Sequence, residues 1–232
     1  CAHDNSKPLL KCVNLMFTST GLRAAGSNGN CIVPARGDNQ STGDVSLLIP
    51  AASLGKLSNM CQDKDEFRVG TTGKSIVFFR ENFLFSARLM EGGYIDTDQL
   101  VGSIRNSFTV LTDIHDMRAA LSSVLSIGTG NRVKLSFQDQ RLVFQCAGDC
   151  VSASAPIEVI ALTGAPAGDY WFNAKQLVTC LKALSGTVTL GIAQGGMLTL
   201  ATQDAYYLQN AMRPEAQTKT QKAAQPAAAK AA

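Results

Sequence analysis

The chain has 232 residues, 45% of them hydrophobic and 17% charged, and a formal net charge of +3. This length allows one or two domains, and this balance is typical of a globular protein with a sizeable core. Such a small net charge gives no strong electrostatic signal for nucleic acid. No apolar run reaches the roughly 18 residues of a membrane span and no signal peptide is visible, so we expect a cytoplasmic protein without membrane contact.

The N-terminal segment predicts three strands. Residues 8–36, "PLLKCVNLMFTSTGLRAAGSNGNCIVPAR", contain apolar runs separated by polar turns such as "STG". This segment matches the end of a unit that recurs three times further along the chain. We interpret it as a partial copy whose own first strand and helix are absent.

Three complete copies follow at 45–90, 107–159 and 169–212. Each opens with a short strand, continues with apolar residues at helical spacing, and ends with three strands joined by tight turns. The turns are "TTGK", "QDQ" and "AQGG". The repeating unit is therefore strand, helix, three strands.

Two such units would build one α+β domain, with helices on one face of antiparallel sheets. We predict a first domain at 1–104, lacking its first strand and helix, and a second at 105–214. From Pro214 the chain is rich in Ala and Gln and has no large apolar residue. We predict a disordered tail at 215–232, because such a composition cannot offset its ordering entropy.

The string "GTTGKS" at 70–75 resembles the end of a phosphate-binding loop. Such a loop needs a glycine where this chain has Arg68, and it must open a helix whose N–H groups bind phosphate. Here "GKS" runs into "IVFF", which favours a strand. We therefore expect a hairpin turn with Gly73 at positive φ. A nucleotide-hydrolysing enzyme, dependent on Lys74, remains as a competing hypothesis.

Cysteine and histidine give no clear catalytic or metal site. The seven cysteines are scattered, and Cys12, Cys31, Cys146 and Cys180 lie in or beside apolar runs, so we expect reduced core thiols. Cys146 and Cys150 flank "AGD" without two further close ligands. His115 stands beside Asp113 and Asp116 and is interpreted as a solvated residue of a first helical turn. We predict no catalytic residue, metal or cofactor.

Several strings, in order, resemble the bacterial sliding clamp, the beta subunit of DNA polymerase III. "SKPLLKCVNLMF" is similar to that family's "TRPVLTGVLFE", and "SNGNCIV" stands where the family has "TDGHRLA". "LLIPAASLGKLSNM" resembles the second helix of the middle domain. "ARLMEGGYIDTDQLV" resembles the connector "SRLIEGEFPDYRRVI", and "YYLQNAMRP" resembles the ending "YVVMPMRL". The resemblance covers about residues 3–213.

The resemblance implies the middle and C-terminal domains of a DNA-clamp (processivity) fold. In that family three domains form half of a ring, and two subunits close around duplex DNA. Helices line the hole and continuous sheets form the outside. The clamp is not an enzyme: it tethers DNA polymerases and repair proteins, and it meets clamp-loader subunits, through short peptides that enter a groove between the second and third domains.

The resemblance also assigns residues to two surfaces. The peptide groove would be lined by Leu10, Ser27, Gly29, Ile32, Ile95, Gln99, Leu100, Asn173, Gln176, Met197, Leu208, Met212 and Arg213. For Leu10, Ile32, Leu100 and Leu208, a plain core role is the alternative. The DNA-facing residues would be Lys7, Lys56, Arg118, Lys175 and Lys182, because a sliding ring needs only weak, sequence-blind electrostatics. Ordinary solubilising charge is the alternative for each.

The chain departs from the family at the groove. Asn30 and Cys31 replace the family's His-Arg, Ile95 replaces its proline and Gln99 its arginine, which removes positive charge and rigidity. Without a first domain the chain alone could not close the usual two-subunit ring. A truncated or divergent paralogue that binds partner peptides without encircling DNA is therefore the second hypothesis.

Overall fold

The computed structural model describes residues 1–2, 7–41, 43–62, 64–128, 130–147 and 152–213. The predicted tail at 215–232 and Cys150 lie outside the described residues. Among the described helices, none has the length and apolar character needed to cross a membrane.

The first half of the chain is mostly strands. A short 3-10 turn at Pro8–Lys11 precedes the elements, which in chain order are β1 (Cys12–Thr18), β2 (Gly21–Ser27), β3 (Cys31–Gly37), β4 (Val45–Pro50), α1 (Ala51–Ser58), β5 (Arg68–Thr71), β6 (Ser75–Arg80), β7 (Phe83–Arg88) and α2 (Thr97–Ser103). The three N-terminal strands and the strand–helix–three-strand unit that follows are those predicted from the sequence. Helix α2 was not predicted.

The second half contains two further units. Its elements are β8 (Asn106–Asp113), α3 (Ile114–Leu125), β9 (Arg132–Gln138), β10 (Arg141–Ala147), β11 (Ser152–Ile157), β12 (Ala161–Gly164), β13 (Tyr170–Asn173), α4 (Ala174–Ala183), β14 (Thr187–Ala193), β15 (Leu198–Ala201) and β16 (Tyr206–Gln209). Strand β12 is an addition to the predicted unit. The α+β class with antiparallel sheets is confirmed.

Three antiparallel sheets organise these strands. The largest has nine, in the order β12-β8-β14-β15-β16-β3-β2-β1-β4. A second sheet has the order β11-β10-β9-β13, and a third the order β5-β6-β7. The nine-stranded sheet joins the two halves of the chain where β16 meets β3, with Leu208 opposite Ile32 and Gln209 opposite Cys31.

Apolar side chains form two separate core clusters. The larger one packs α3 and α4 against strands of two sheets, and Met117, Leu121, Leu177 and Leu181 are fully buried in it. The smaller one lies in the first half around Ile49 and Ile76. The separation supports the boundary near residue 104, which stays a prediction.

The helices start at side-chain caps where the sequence supplies them. Asp113 accepts a hydrogen bond from the His115 N–H (2.6 Å), and Asn173 accepts one from the Gln176 N–H (3.1 Å). These side chains satisfy amide donors that have no partner within a first helical turn. By contrast, α1 follows Pro50 and has no side-chain cap.

The "GTTGKS" segment is a β-hairpin. Strands β5 and β6 pair from Thr71 opposite Ile76, and the Thr72 N–H donates to the Ser75 carbonyl (2.9 Å). Gly73 has a φ of +80°, as the tight turn requires. A strand, not a helix N-terminus, follows Lys74, so the geometry of a phosphate loop is not present here.

Buried cysteines occupy the core as predicted. Cys12, Cys146 and Cys180 are buried, whereas Cys31 is only half-buried. The described cysteines are free thiols. Burial raises the pKa of Cys180 to about 12, which keeps that thiol neutral.

Candidate functional site

A cavity of about 510 Å³ lies where the 3-10 turn, the β2–β3 turn and the chain before α2 meet. We call it the groove cavity. Its lining residues are Lys7, Pro8, Leu9, Leu10, Gly29, Gly93, Tyr94 and Ile95. Its volume and mostly apolar lining suit a few side chains of a bound peptide.

The β2–β3 turn forms one wall of the groove cavity and is held by its own side chains. The Ser27 hydroxyl donates to the Cys31 carbonyl (3.0 Å) and accepts from the Gly29 N–H (3.1 Å). The Asn28 side-chain oxygen accepts from the N–H groups of Asn30 and Cys31, both at 2.9 Å. Gly29 has a φ of +89°, a conformation that favours glycine, and the turn lies beside the Leu10 side chain.

The opposite wall is the segment that leads into α2. Asp96 caps this helix by accepting from the Gln99 N–H (2.9 Å), and Asp98 forms an ion pair with Arg23 of β2. The Tyr94 hydroxyl donates to the Cys12 carbonyl (3.2 Å), and burial raises the pKa of Tyr94. These contacts fasten the segment to the nine-stranded sheet.

A polar network lies at the start of α4, close to the junction between β16 and β3. The buried Gln209 side chain donates to the Asn173 carbonyl (3.2 Å) and to the Gln176 side-chain oxygen (3.3 Å). It accepts from the Tyr207 hydroxyl (2.8 Å). Asn173 and Gln176 are therefore engaged in structural hydrogen bonds, a role that the sequence did not predict.

The structure brings only some of the predicted groove residues together. Leu10, Gly29 and Ile95 line the groove cavity, while Ser27 supports its turn from a buried position. Ile32 and Leu208 pair across the sheet junction, and Leu208 is buried as core. Other predicted groove residues are not among those that line this cavity: Gln99, Leu100, Asn173, Gln176, Met197, Met212 and Arg213.

The chain around Met212 is held by hydrogen bonds to two strands of the second half. The Met212 N–H donates to the Trp171 carbonyl (2.7 Å), and the Arg213 carbonyl accepts from the Arg132 guanidinium (3.2 Å). Met212 is half-buried and Arg213 is exposed. These bonds fix the last described residues against β13 and β9.

Sequence reasoning missed five residues of the groove cavity, namely Lys7, Pro8, Leu9, Gly93 and Tyr94. Lys7, which the resemblance assigned to the DNA-facing set, lines the groove cavity, and its contact with DNA stays a prediction. Each of the five lies within three residues of a predicted groove residue. Closeness in sequence to Leu10 and Ile95 was therefore the available signal.

The remaining predicted DNA-facing residues differ in their surroundings. Lys56, Lys175 and Lys182 are exposed on α1 and α4. Arg118 of α3 instead donates from Nε to the Leu181 carbonyl (2.6 Å) and from a terminal nitrogen to the Leu184 carbonyl. Its guanidinium therefore satisfies carbonyl groups at the C-terminal end of α4. DNA contact by any of these residues stays a prediction.

Asp113, His115 and Asp116 lie together at the start of α3, with potential ligand atoms within 4.8 Å of one another. His115 is 87% exposed and its Nδ1 is 3.7 Å from the Asp116 carboxylate. Asp113 is already used as the helix cap. The arrangement agrees with the solvated first turn predicted from the sequence.

Comparison with known proteins identifies relatives by sequence. The chain is 32% identical over 104 residues to the β sliding clamps of two Streptococcus pneumoniae strains, TIGR4 and R6. The match covers 43% of this chain and 27% of each clamp, so it spans about a quarter of the length of these relatives. No protein-family model matches the chain.

Solved structures extend the likeness to nearly the whole described chain. The DNA polymerase III beta chain of Streptococcus pneumoniae TIGR4 has a TM-score of 0.80 at 23% identity, over 92% of this chain and 60% of that one. The sliding clamp of Bacillus subtilis has a TM-score of 0.83 at 19% identity, over 92% and 59%. The chain thus has the sliding-clamp fold, and the resemblance found in the sequence is confirmed.

Proposed function

We propose that this chain is part of a DNA sliding clamp, a non-catalytic processivity subunit of DNA polymerase III that holds DNA polymerases on duplex DNA in the cytoplasm. The observation that supports this most is the fold, which matches sliding clamps over 92% of the chain with TM-scores of 0.80 and 0.83. Because the chain spans about 60% of those structures, the activity and partners of a whole clamp are proposed for it as a part.

The groove cavity is the proposed site for partner peptides. Its walls come from both ends of the first half of the chain, and Tyr94 and the Arg23–Asp98 ion pair hold the wall before α2 in place. An apolar cavity with fixed walls binds a short peptide without a large ordering cost. We propose DNA polymerase and clamp-loader subunits as the proteins that present such peptides.

The exposed lysines of α1 and α4 are the proposed source of weak attraction to the DNA backbone. Three such charges make a sequence-independent contribution to DNA affinity, and this contribution falls as the salt concentration rises. A ring held by topology needs no tighter contact, so the small net charge of the chain agrees with this function.

A fluorescent peptide with the clamp-binding pattern (Gln, then Leu, then Leu-Phe) tests the proposed groove. We expect a Kd in the low micromolar range, about −7 to −8 kcal/mol. Leu10→Ala, which shortens a side chain that lines the groove cavity, should weaken the binding several-fold, whereas Met60→Ala, which truncates an exposed methionine after α1, should leave it unchanged. Equal affinities for both variants, or no binding at roughly millimolar protein, would remove the groove from the proposal.

The second hypothesis, a clamp paralogue that binds peptides without encircling DNA, differs in one measurable property. A closed ring containing this chain would be retained on circular DNA and released when the DNA is cut, because its hold is topological. A peptide-binding paralogue would show peptide affinity without that difference between circular and linear DNA.

A further inference from the structure

A second and larger cavity, of about 690 Å³, lies on the other side of the segment that leads into α2. We call it the rear cavity. Strands β1 and β4 form its floor through side chains that include Met16 and Leu47. Gly93, Tyr94 and Ile95 line both cavities, so this short segment separates the rear cavity from the groove cavity.

The floor of the rear cavity carries a buried polar side chain. Asn14 is 5% exposed and lines the cavity, and its side-chain oxygen accepts from the Ser46 hydroxyl (2.8 Å). Among the described residues, no other hydrogen bond to the Asn14 side chain is present. The amide nitrogen therefore offers a hydrogen-bond donor to an occupant of the cavity.

The rim of the rear cavity is acidic. Glu91, Asp96 and Asp98 all line it, and of these Asp98 pairs with Arg23. Asp96 is used as the α2 cap but keeps its negative charge. The rim therefore complements a positive charge on an occupant whose remaining surface is apolar.

One edge of the rear cavity is an open strand. β4 is the outermost strand of the nine-stranded sheet, and its Leu48 carbonyl accepts from the Met90 N–H (2.9 Å) on the outer edge. Alternate residues of an antiparallel strand turn their N–H and C=O to the same side. The backbone of Ser46 therefore faces outward on this same edge, beside the cavity, where an extended segment can pair with it.

We propose that the rear cavity binds an extended segment of another protein that pairs with β4 near Ser46. The segment places an apolar side chain in the cavity and a Lys or Arg side chain against Glu91. The open strand edge favours a peptide over a small molecule, and the acidic rim favours a basic peptide over an acidic one. This site is separate from the groove cavity and does not depend on the proposed function.

The test is fluorescence anisotropy with a labelled hexapeptide, Leu-Lys-Leu-Arg-Leu-Lys, and with Leu-Glu-Leu-Glu-Leu-Glu as the acidic counterpart. The basic peptide should bind and the acidic one should not. Ser46→Trp should weaken binding by about tenfold or more because it fills an exposed position at the cavity wall. Glu91→Gln should weaken it about threefold, the size expected of a solvent-exposed ion pair.

Two control variants separate this site from others. Ser86→Trp adds the same side chain at an exposed strand position outside the cavity and should leave the affinity unchanged. Met212→Ala should also have no effect, since Met212 does not line the rear cavity. No binding of the basic peptide, equal binding of both peptides, or equal affinity for Ser46→Trp and Ser86→Trp would each overturn the proposal.

Discussion

Replacing Arg118 with methionine tests whether this residue supports the fold or faces DNA. Methionine keeps an apolar stem of similar length and removes the guanidinium. In the structure that guanidinium donates to the carbonyls of Leu181 and Leu184 at the end of α4. Lys182→Met is the matched control, because Lys182 is exposed on α4.

The size of the effect follows from these two hydrogen bonds. A hydrogen bond to a charged group contributes about 1.5–3 kcal/mol when it is removed from a buried site. Arg118 is half-buried, so water can replace part of the loss. We expect Arg118→Met to lower the free energy of unfolding by about 2 kcal/mol, and Lys182→Met to change it by less than about 0.5 kcal/mol.

Urea unfolding followed by far-UV circular dichroism measures both values. Salt-dependent DNA binding measured on the same proteins distinguishes the two roles. A loss of stability in Arg118→Met similar to that in Lys182→Met, together with a clear loss of DNA affinity, would refute the structural role and restore Arg118 to the DNA-facing set.

Two further predictions concern stability. Burial raises the pKa of the Cys180 thiol from about 9 to about 12, so between these pH values the thiol stays neutral in the folded protein and ionises in the unfolded chain. The free energy of unfolding should therefore fall as pH rises above about 9, by roughly 1.4 kcal/mol at pH 10. Cys180→Ala should remove this part of the pH dependence, as measured by urea unfolding at several pH values. An identical slope in the variant would contradict the assignment. Gly73 and Gly164 both have positive φ, but an added Cβ at Gly164 would lie 2.7 Å from the Ser107 carbonyl oxygen whereas one at Gly73 meets nothing within 4 Å. Gly73→Ala should lower the free energy of unfolding by about 1 kcal/mol, and Gly164→Ala should lower it by at least about 1 kcal/mol more, as measured by thermal or urea unfolding. Equal losses in the two variants would show that the close contact with Ser107 does not destabilise Gly164→Ala.

The repeated unit was predictable because each copy contains its own local signals. Apolar spacing identified α3 and α4, and the turn at "QDQ" has positive φ at both Asp139 and Gln140, as a two-residue hairpin turn requires. Helix α2 was missed because it is seven residues long and its start, "TDQ", follows a stretch that resembles a connector. A helix that short has little periodicity for sequence reasoning to detect.

The site was only partly predictable because side chains acquire roles through distant partners. Arg118 meets the α4 carbonyls across 63 and 66 residues of chain, and the Asn173 and Gln176 groups meet Gln209 across more than 30. No local sequence pattern indicates hydrogen-bonded pairs that lie so far apart in the chain. The rear cavity was not foreseen for the same reason, since its floor and rim come from segments near residues 14, 46 and 91.

The most direct test of the central proposal is to locate a bound clamp-binding peptide on this chain. Two-dimensional ¹H–¹⁵N NMR spectra of the labelled protein, recorded with and without the peptide, report which backbone amides change environment. We predict that the largest shifts occur at Leu10, Gly29 and Ile95, with smaller ones at Met212. Shifts confined to other surfaces, or none at saturating peptide, would contradict the assignment of the groove cavity and with it the proposed tethering function.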